Sequence, residues 1–430
     1  MKKIYLISLA LVSFFPVLAQ KKTIKESEVT RIVKTLSADE MQGRQVFTPG
    51  IQKASTFIEQ EFKKAGLRPM PGLKDFRQEF TLYKIEPGLL AVSLAGQPLA
   101  TDEVFASSSA ESLAWPAAGS AQPEVVTIAA GDNFIQTARK LLGQQKEQLV
   151  LVHPSHAAIF KRLKNNFNHA SYRTELANTA TVFVLTEQAA GVNYSMSLQQ
   201  KVEKQVQNNV VGYLPGKSRK EEFVIFSAHY DHIGIQAVVA GDSIANGADD
   251  DASGTTAVIS LARYFKKKGG NERSLLFVAF TAEEIGGYGS QYFSRQLPPE
   301  KVVAMFNIEM IGKESPFGKN AGFITGFERS DMGKIIQKNL AGSSYQFHPD
   351  PFLKENLFYR SDNATLARLG VPAHSFSTDK IDVDPYYHTV NDEVETLDTA
   401  HMTNIIKAIA QGAQSIIAGQ DTPSRIAPEN

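Results

Sequence analysis

From residue 207 onward, the sequence alternates between apolar strand-like runs and amphipathic helix-like stretches. Residues 223–228 and 274–280 are short apolar runs, and the second is continuous, as is typical of a strand buried on both faces. Residues 252–268, which lie between them, carry apolar side chains at helical spacing. This alternation predicts an α/β sandwich built around a largely parallel sheet.

The N-terminal half has a different texture. Residues 26–66 predict helices and residues 78–86 predict a strand. From 88 to 203, short β-like runs are separated by turns rich in Ala, Ser, Gly and Pro. We interpret 88–203 as an inserted domain. An irregular elaboration of the main domain is the alternative.

The first residues have the form of an export signal. Lys2 and Lys3 precede an apolar run over residues 4–18, and Ala19 completes a small-residue cleavage site. Gln20 is therefore the expected mature N-terminus, in the periplasm or outside the cell. A membrane anchor is the alternative, but the run is short for a span and a polar stretch follows it.

Charge and cysteine content narrow the range of partners and of metal ligands that the chain can use. The chain has 45 basic and 45 acidic residues, a balance that does not suggest a nucleic-acid partner. It contains no cysteine, so it forms no disulfides. Any metal site must therefore be built from histidines and carboxylates.

Acids and histidines follow several of the predicted strands. Ligands bind beyond the carboxyl ends of strands in open α/β sheets, so these groups are expected to converge on one crevice. The groups are His229-Tyr230-Asp231-His232, Glu283-Glu284 and Glu309 after strands, and Asp249-Asp250-Asp251 before a helix.

Histidines and carboxylates without cysteine are ligands for zinc or a similar first-row metal. Five or six such groups are too many for one catalytic metal, so two metals sharing a carboxylate fit better. Two-metal sites serve phosphatases, nucleases and aminopeptidases, which leaves the substrate open. The plainer interpretations are that Asp249-Asp250-Asp251 caps a helix and that Glu283-Glu284 is a solvated helix start.

Four ordered motifs resemble those of the clan MH zinc exopeptidases, which include bacterial leucyl aminopeptidases, glutamate carboxypeptidase II and the non-catalytic transferrin receptor. The resemblance covers about 26–86 and 207–415. The motifs are His229-Tyr230-Asp231-His232, Gly247-Ala248-Asp249-Asp250-Asp251-Ala252-Ser253-Gly254, Glu283-Glu284-Ile285-Gly286 and Tyr387-His388-Thr389.

The resemblance implies a three-layer α/β/α sandwich of the phosphorylase/hydrolase-like type with a central mixed, mostly parallel sheet. Its catalytic domain would comprise 20–87 and 204–430. Residues 88–203 would form a β-rich apical domain resembling the protease-associated domain. The implied activity is hydrolysis of a peptide substrate by a secreted two-zinc aminopeptidase. Carboxypeptidase or dipeptidase action, or a transferrin-receptor-like binding protein, are the alternatives.

The resemblance also assigns roles. Glu283 would be the general base that acts on a metal-bridging water, and Tyr387 would donate a hydrogen bond to the developing oxyanion. Asp231 would orient the first histidine ligand. The implied zinc ligands are His229 and Glu309 at the first metal, Glu284 and His388 at the second, and Asp250 bridging both.

Two positions depart from the family pattern. The aminopeptidases usually have Asp where this chain has Glu309, and they often have His where it has Asn363. Glu309 still offers a carboxylate, so we keep it as a ligand. Its extra methylene changes its reach, which leaves the substrate preference open.

Overall fold

The computed structural model describes residues 24–117, 122–188 and 190–427. The predicted export signal and the predicted N-terminus at Gln20 lie outside the described residues. Within the described part of the chain, no helix is long and apolar enough to cross a membrane.

Eighteen strands are assigned within the described residues, and most belong to one large sheet. They are β1 (Arg68–Pro69), β2 (Arg77–Leu94), β3 (Gln97–Pro98), β4 (Val104–Ser108), β5 (Ser112–Trp115), β6 (Glu124–Ile128), β7 (Gln148–Val152), β8 (Ser171–Arg173), β9 (Ala180–Leu185), β10 (Tyr194–Leu214), β11 (Arg219–His229), β12 (Gly234–Val239), β13 (Asp242–Ala245), β14 (Arg273–Phe280), β15 (Val302–Ile308), β16 (Ala321–Ile324), β17 (Gln346–Pro349) and β18 (Ala373–Ser377).

The α-helices flank the sheets. They are α1 (Glu26–Leu36), α2 (Pro49–Ala65), α3 (Phe134–Gly143), α4 (Ala157–Asn166), α5 (Gly254–Lys268), α6 (Tyr288–Ser294), α7 (Met332–Leu340), α8 (Asn363–Ala367), α9 (Thr399–Gly412) and α10 (Gln414–Ile417).

The large sheet runs β17-β16-β18-β15-β11-β14-β10-β2-β3. Its four central strands, β18, β15, β11 and β14, are parallel, whereas β10 and β2 pair antiparallel on one side and β16 pairs antiparallel with β18 on the other. The predicted mixed sheet is confirmed, and its parallel part is the centre.

Apolar side chains cover both faces of this sheet. Alternate residues of β11 point to opposite sides, so Phe226 packs into the core shared with α1, α2, α5, α7 and α9, while Ile225 packs into the core shared with α6 and α8. The ring of Phe226 stacks between Phe277 and Phe306, with centroid distances of 5.6 and 5.0 Å. The three-layer sandwich predicted from the sequence is confirmed.

A smaller sheet, ordered β4-β9-β7-β6, lies in the inserted region with α3 and α4. A two-stranded ribbon carries it: β2 and β10 stay paired from Arg77 opposite Val210 to Leu94 opposite Tyr194. The proposed boundaries near 88 and 203 both fall inside this ribbon, and they stay a prediction.

The inserted region also contacts the main sheet and the residues next to it. Strand β8 pairs with β2, and the ring of Tyr172 lies 5.9 Å from that of Phe47. The hydroxyl of Tyr288 donates a hydrogen bond of 2.5 Å to the backbone oxygen of Tyr172. This contact lies just after the loop that carries Glu283 and Glu284.

Candidate metal centre

The predicted ligands lie at one edge of the sheet because their strands are neighbours. His229 is the last residue of β11, Glu309 directly follows β15, and Glu284 follows β14 by four residues. Strands β15, β11 and β14 are adjacent and parallel, so their carboxyl ends meet. The wide turn Ala248–Ser253 brings Asp250 to the same place, and the loop after β18 brings His388.

Three of these side chains form a first cluster. The Nε2 atom of His229 lies 3.2 Å from Oδ1 of Asp250 and 3.2 Å from Oε1 of Glu309. The other ring nitrogen, Nδ1, lies 3.0 Å from the backbone oxygen of Asp231. A hydrogen bond from Nδ1 to that oxygen leaves Nε2 available as a metal ligand.

A second cluster uses the other oxygen of Asp250. The Nε2 atom of His388 lies 3.3 Å from Oδ2 of Asp250 and 3.1 Å from Oε2 of Glu284. Asp250 therefore turns one carboxylate oxygen toward each cluster, which is the arrangement of a bridging ligand.

The spacing of these atoms fits a metal. Zinc bonds of 2.0 to 2.2 Å in a tetrahedral arrangement place neighbouring ligand atoms about 3.3 to 3.6 Å apart, close to the distances seen in both clusters. The clusters also bring three carboxylates together, and their mutual repulsion calls for a compensating cation. The residues present fit a site for zinc.

Two further side chains, Asp251 and His232, lie close enough to be considered as ligands. Each belongs to a triad whose ligand atoms lie within 4.8 Å of one another. The triads are His229, Asp251 and Glu309, and His232, Asp250 and Glu284. The carboxylate of Asp251, however, accepts hydrogen bonds from the backbone amides of His229, Gly254 and Met310 at 3.3, 2.9 and 3.2 Å. It anchors backbone, so we assign the metal to Asp250.

His232 was not assigned a role from the sequence. Its ring is buried, and its Nδ1 atom lies 2.7 Å from Oε1 of Glu284 and 3.8 Å from Oδ2 of Asp250. The contact leaves Oε2 of Glu284 facing His388. The sequence signal that could have identified His232 is its place in His229-Tyr230-Asp231-His232, one residue beyond the predicted orienting acid.

Asp231 acts on both sides of the site. Its Oδ1 lies 3.8 Å from Nδ1 of His229, and its carboxylate accepts the backbone amides of Glu283 and Glu284 at 3.1 and 3.3 Å. Burial raises the pKa of Asp231 to about 6 although His229 lowers it. The residue thus fixes the loop that carries the predicted base as well as lying behind the first histidine.

Glu283 and Tyr387, the predicted base and hydrogen-bond donor, line the same cleft as the ligands. Burial, with the carboxylates of Asp362, Glu309 and Glu284, raises the pKa of Glu283 well above its usual range although His229 opposes the shift. Burial also raises the pKa of the Tyr387 hydroxyl, which therefore stays protonated and able to donate.

The charges of the ligands are interdependent. Burial alone would raise the pKa of Asp250, but His232, His229 and His388 hold it well below the usual range. Burial alone would lower the pKa of His388, but contacts with Asp250 and Glu284 raise it to about 10. Protonated His229 and His388 would balance part of the negative charge of the carboxylates.

The backbone at the site lies in the left-handed region at three non-glycine residues. They are Ala282 before the predicted base (φ 59°), Met310 after Glu309 (φ 48°) and His388 itself (φ 55°). L-residues rarely adopt this conformation, and it is concentrated at functional sites. The chain therefore turns sharply where it delivers a functional side chain.

Arg44 holds the backbone next to the turn Ala248–Ser253, which carries Asp250. It was not identified from the sequence. Its guanidinium is fully buried and donates to the backbone oxygens of Tyr230, Leu36 and Gly247 at 2.8, 2.8 and 2.9 Å. Burial lowers its pKa, and the carboxylates around the site, Asp250 first among them, oppose that effect. No spacing pattern marks this residue, because its partners are backbone oxygens far away in sequence.

Asp392 and Lys313 form a second support that sequence analysis missed. The carboxylate of Asp392 accepts the amides of Asp249 and Asp250 at 3.1 and 3.0 Å. The Nζ atom of Lys313 lies 2.6 Å from Asp384, 3.5 Å from Asp249 and 3.9 Å from Asp392. This lysine is thus a shared counter-charge for three buried aspartates.

The carboxylate oxygen of Glu309 that does not face His229 is held by a hydrogen bond. Oε2 accepts a hydrogen bond of 2.5 Å from the hydroxyl of Ser361, which in turn accepts one of 2.8 Å from Asn307. Asn363, the other departure, is buried and donates to the backbone oxygen of Phe358 at 2.8 Å. It does not contact the ligands in the hydrogen bonds that are described.

A cleft opens over the two clusters, with a cavity volume of about 80 Å³. Its inner wall is made of buried residues of β16, β18 and the chain beyond each of them, including Phe323, Thr325, Ser375 and Ser377. Its open side is formed by less buried residues of two loops, among them Leu357, Arg360 and Tyr387.

Comparison with known proteins assigns the part of the chain that carries this site to a family. The profile of the family described as Peptidase family M28 matches residues 209–413, the stretch that supplies all five predicted ligands and Glu283. Residues 209–413, the M28 domain, belong to peptidase family M28. The M28 assignment agrees with the resemblance deduced from the motifs.

Curated relatives of the M28 domain are named leucine aminopeptidases. One from Ajellomyces dermatitidis is 28% identical over 268 residues, 58% of this chain and 66% of the relative. One from Pyrenophora tritici-repentis is 31% identical over 212 residues, 46% of this chain and 52% of the relative. The chain thus spans about two thirds or less of the length of these relatives.

Solved structures share the fold of the M28 domain. An aminopeptidase from Aneurinibacillus is 18% identical, with a TM-score of 0.55, and the match covers 95% of this chain and 97% of that one. A zinc aminopeptidase from Bacillus subtilis is 16% identical, with a TM-score of 0.53, and the match covers 94% and 98%.

Proposed function

We propose that this protein is an aminopeptidase that removes residues from the N-terminus of a peptide and uses two zinc ions. The observation that carries the proposal is the carboxylate of Asp250, which offers one oxygen to each of two ligand clusters beside Glu283. The names of the curated relatives, all leucine aminopeptidases, support the same activity.

His229, Asp250 and Glu309 would hold one zinc ion, and Asp250, Glu284 and His388 the other. Bound zinc would polarise the scissile carbonyl and favour ionisation of water at neutral pH. Glu283 would take a proton from the attacking water and deliver it to the departing amide nitrogen. Tyr387 would donate a hydrogen bond to the carbonyl oxygen as negative charge develops there.

Carboxypeptidase or dipeptidase action is the second candidate. The observation that favours it is Glu309, which stands where the aminopeptidases usually have Asp. A binding protein without catalysis is less well supported, because the chain keeps the predicted base together with both ligand clusters.

We also propose that the protein is exported, because residues 1–19 have the form of a cleavable signal. The cell fraction that contains the protein tests export, and its intact mass tests cleavage. Protein that stays in the cytoplasm would contradict export, and a mass that includes residues 1–19 would contradict cleavage after Ala19.

The function is tested with Glu283→Gln, which keeps the shape of the side chain and removes its basicity. Purified wild-type protein is expected to contain two zinc ions per chain and to hydrolyse aminoacyl anilides. Glu283→Gln is expected to keep the zinc and to lose at least a hundredfold in kcat, in line with the usual contribution of a general base.

Glu300→Gln is the matched control, since Glu300 is exposed and lies away from the cleft. It is expected to keep wild-type activity. A Glu283→Gln protein with wild-type kcat would contradict the role of Glu283. A wild-type protein that cleaves only N-terminally blocked peptides would contradict the aminopeptidase assignment.

A further inference from the structure

The cleft has one feature that peptide-bond hydrolysis does not require. Among the cleft residues that the structure describes, Arg360 carries the one permanent positive charge, while Asp250, Glu283, Glu284, Glu309 and Asp379 are acidic. Asp250, Glu284 and Glu309 would be engaged as ligands of bound zinc. The guanidinium would then be left to pair with another anionic group.

Within the protein, Arg360 has only a loose partner. Its Nη1 atom lies 3.7 Å from Oε2 of Glu355 and 3.5 Å from the backbone oxygen of that residue. The side chains of Arg360 and Glu355 are 46% and 43% exposed. An exposed pair at this distance contributes little to stability, so the guanidinium is available to a ligand.

The backbone of Arg360, by contrast, is fixed at the metal centre. The next residue, Ser361, donates its hydroxyl to Glu309 and accepts a hydrogen bond from the buried Asn307. Arg360 and Tyr387 both line the cleft. A cationic side chain is thus attached to a backbone position that is held beside the first ligand cluster.

The position of Arg360 separates two parts of the substrate. The residues of the inner wall are buried, whereas Arg360 is exposed and lines the open side of the cleft. A substrate whose first residue lay against the inner wall would extend past the scissile bond toward Arg360. One extended residue spans about 3.3 to 3.6 Å, which an arginine side chain can reach across.

From this geometry we propose that Arg360 binds a substrate carboxylate on the leaving-group side, and that this is the terminal carboxylate of a dipeptide. The proposal rests on the proposed function. The planar guanidinium forms two parallel hydrogen bonds with a carboxylate, a pairing stronger than that between neutral groups. The preferred substrates are therefore dipeptides, the last products of peptide breakdown.

The test compares Leu-Ala with Leu-Ala amide, which differ only in the terminal carboxylate. The wild-type protein is expected to show a kcat/KM at least tenfold higher for Leu-Ala. Arg360→Gln is expected to bring the two substrates within about threefold of each other, and Arg360→Lys is expected to give an intermediate ratio, because a lysine cannot form the two parallel bonds.

Lys354→Gln is the matched control. It removes the same charge from the same loop at an exposed residue that does not line the cleft, and it is expected to keep the wild-type ratio. A second pair, Leu-Glu amide and Leu-Gln amide, asks whether a side-chain carboxylate is the group that is bound.

The outcomes separate the two hypotheses. If no aminoacyl substrate is cleaved, the proposed aminopeptidase function fails. If Leu-Ala and Leu-Ala amide are cleaved equally well, or if Arg360→Gln keeps the wild-type ratio, the role of Arg360 fails and the aminopeptidase function stands. An Arg360-dependent preference that appears only for Leu-Glu amide would overturn the assignment to the chain terminus.

Discussion

At the scale of single residues, the structure adds His232 as a supporting partner of a ligand expected from the motifs. One carboxylate oxygen of Glu284 faces Nδ1 of His232, and the other faces His388. A ligand carboxylate held in this way has one oxygen left for the metal. Such supporting partners typically change metal affinity by 10- to 100-fold when they are removed.

We therefore expect His232→Ala to lower zinc affinity 10- to 100-fold, measured by competition with a chelator. His232→Asn places an amide N–H near the position of Nδ1 and is expected to restore most of the affinity. His153→Ala, a change at an exposed histidine of the inserted region, is the control. Equal affinities for His232→Ala and the wild type would contradict the role.

A second residue-scale prediction concerns His374, which lies away from the metal ligands. Its ring lies 2.7 Å from the hydroxyl of Ser330 and 2.8 Å from the backbone oxygen of Thr325, and burial lowers its pKa to about 4. Between pH 6.5 and 4 the unfolded chain binds a proton that the folded chain does not. This residue therefore stabilises the fold fully above pH 6.5, and the contribution is lost as the pH falls.

The expected slope is about 1.4 kcal/mol per pH unit in the free energy of unfolding, or about 3 kcal/mol over the whole window. His374→Gln is expected to reduce the slope between pH 6.5 and 4 by that amount in denaturant titrations of the metal-free protein. An unchanged slope would show that the imidazole of His374 titrates normally.

The residues that sequence analysis identified share one property. His229, Asp250, Glu283, Glu284 and His388 stand in short local patterns with a chemical reason for each residue type. Arg44 and Asp392 stand in no such pattern, because they hold backbone amides and oxygens of distant segments. Contacts to a distant backbone leave no local signature in a sequence.

At the scale of elements, most strands could be predicted because their apolar runs are distinct. The apolar run at 274–280 matches β14 (Arg273–Phe280) to within one residue, and the run at 223–228 lies within β11 (Arg219–His229). The helix predicted from residue 252 begins at Gly254 instead, because Ala248–Ser253 forms a wider turn. An acidic run before a helix is typical of a helix cap. Helix propensity therefore could not predict that the chain turns here and directs the side chain of Asp250 toward the two clusters.

Lys313 connects three of the segments that carry ligands. It follows Glu309 in the chain, and it contacts Asp384 before His388, Asp392 after His388 and Asp249 beside Asp250. The three aspartates are almost fully buried, and their charges would repel one another without the lysine. Lys313 thus holds these loops in register with one another.

We expect Lys313→Met to lower zinc affinity at least tenfold, because it leaves buried aspartates uncompensated. The double variant Lys313→Met with Asp384→Asn removes one charge of each sign and is expected to recover part of the loss. Lys313→Arg is expected to stay close to the wild type. A double variant with lower affinity than Lys313→Met would contradict the charge-balance explanation.

At the scale of the whole molecule, we expect that the ribbon of β2 and β10 makes the inserted region removable. Ile85 lies opposite Val202 in this ribbon, and a two-residue Asn-Gly turn can join such a pair. Replacing residues 86–201 with Asn-Gly is expected to give a soluble M28 domain that binds zinc and cleaves aminoacyl anilides. Its melting temperature is expected to fall, because the contacts of Tyr172 with Phe47 and Tyr288 are lost.

A shorter excision provides the control. Joining Leu94 to Tyr194 would leave Val92, Leu94 and Met196 exposed, since they pack in the core of the inserted region. This variant is expected to aggregate. If both variants are insoluble, the inserted region is required for the main domain to fold.

The separation of the ligands along the chain also sets the order of assembly. His229 and His388 come from distant segments, and the strands between them must pair before their ends can meet. We therefore expect zinc to bind late in folding, once nearly the whole chain is in place. For a protein that crosses a membrane unfolded, the metal ions would be acquired at the destination, and the supply of zinc there would decide how much of the protein matures.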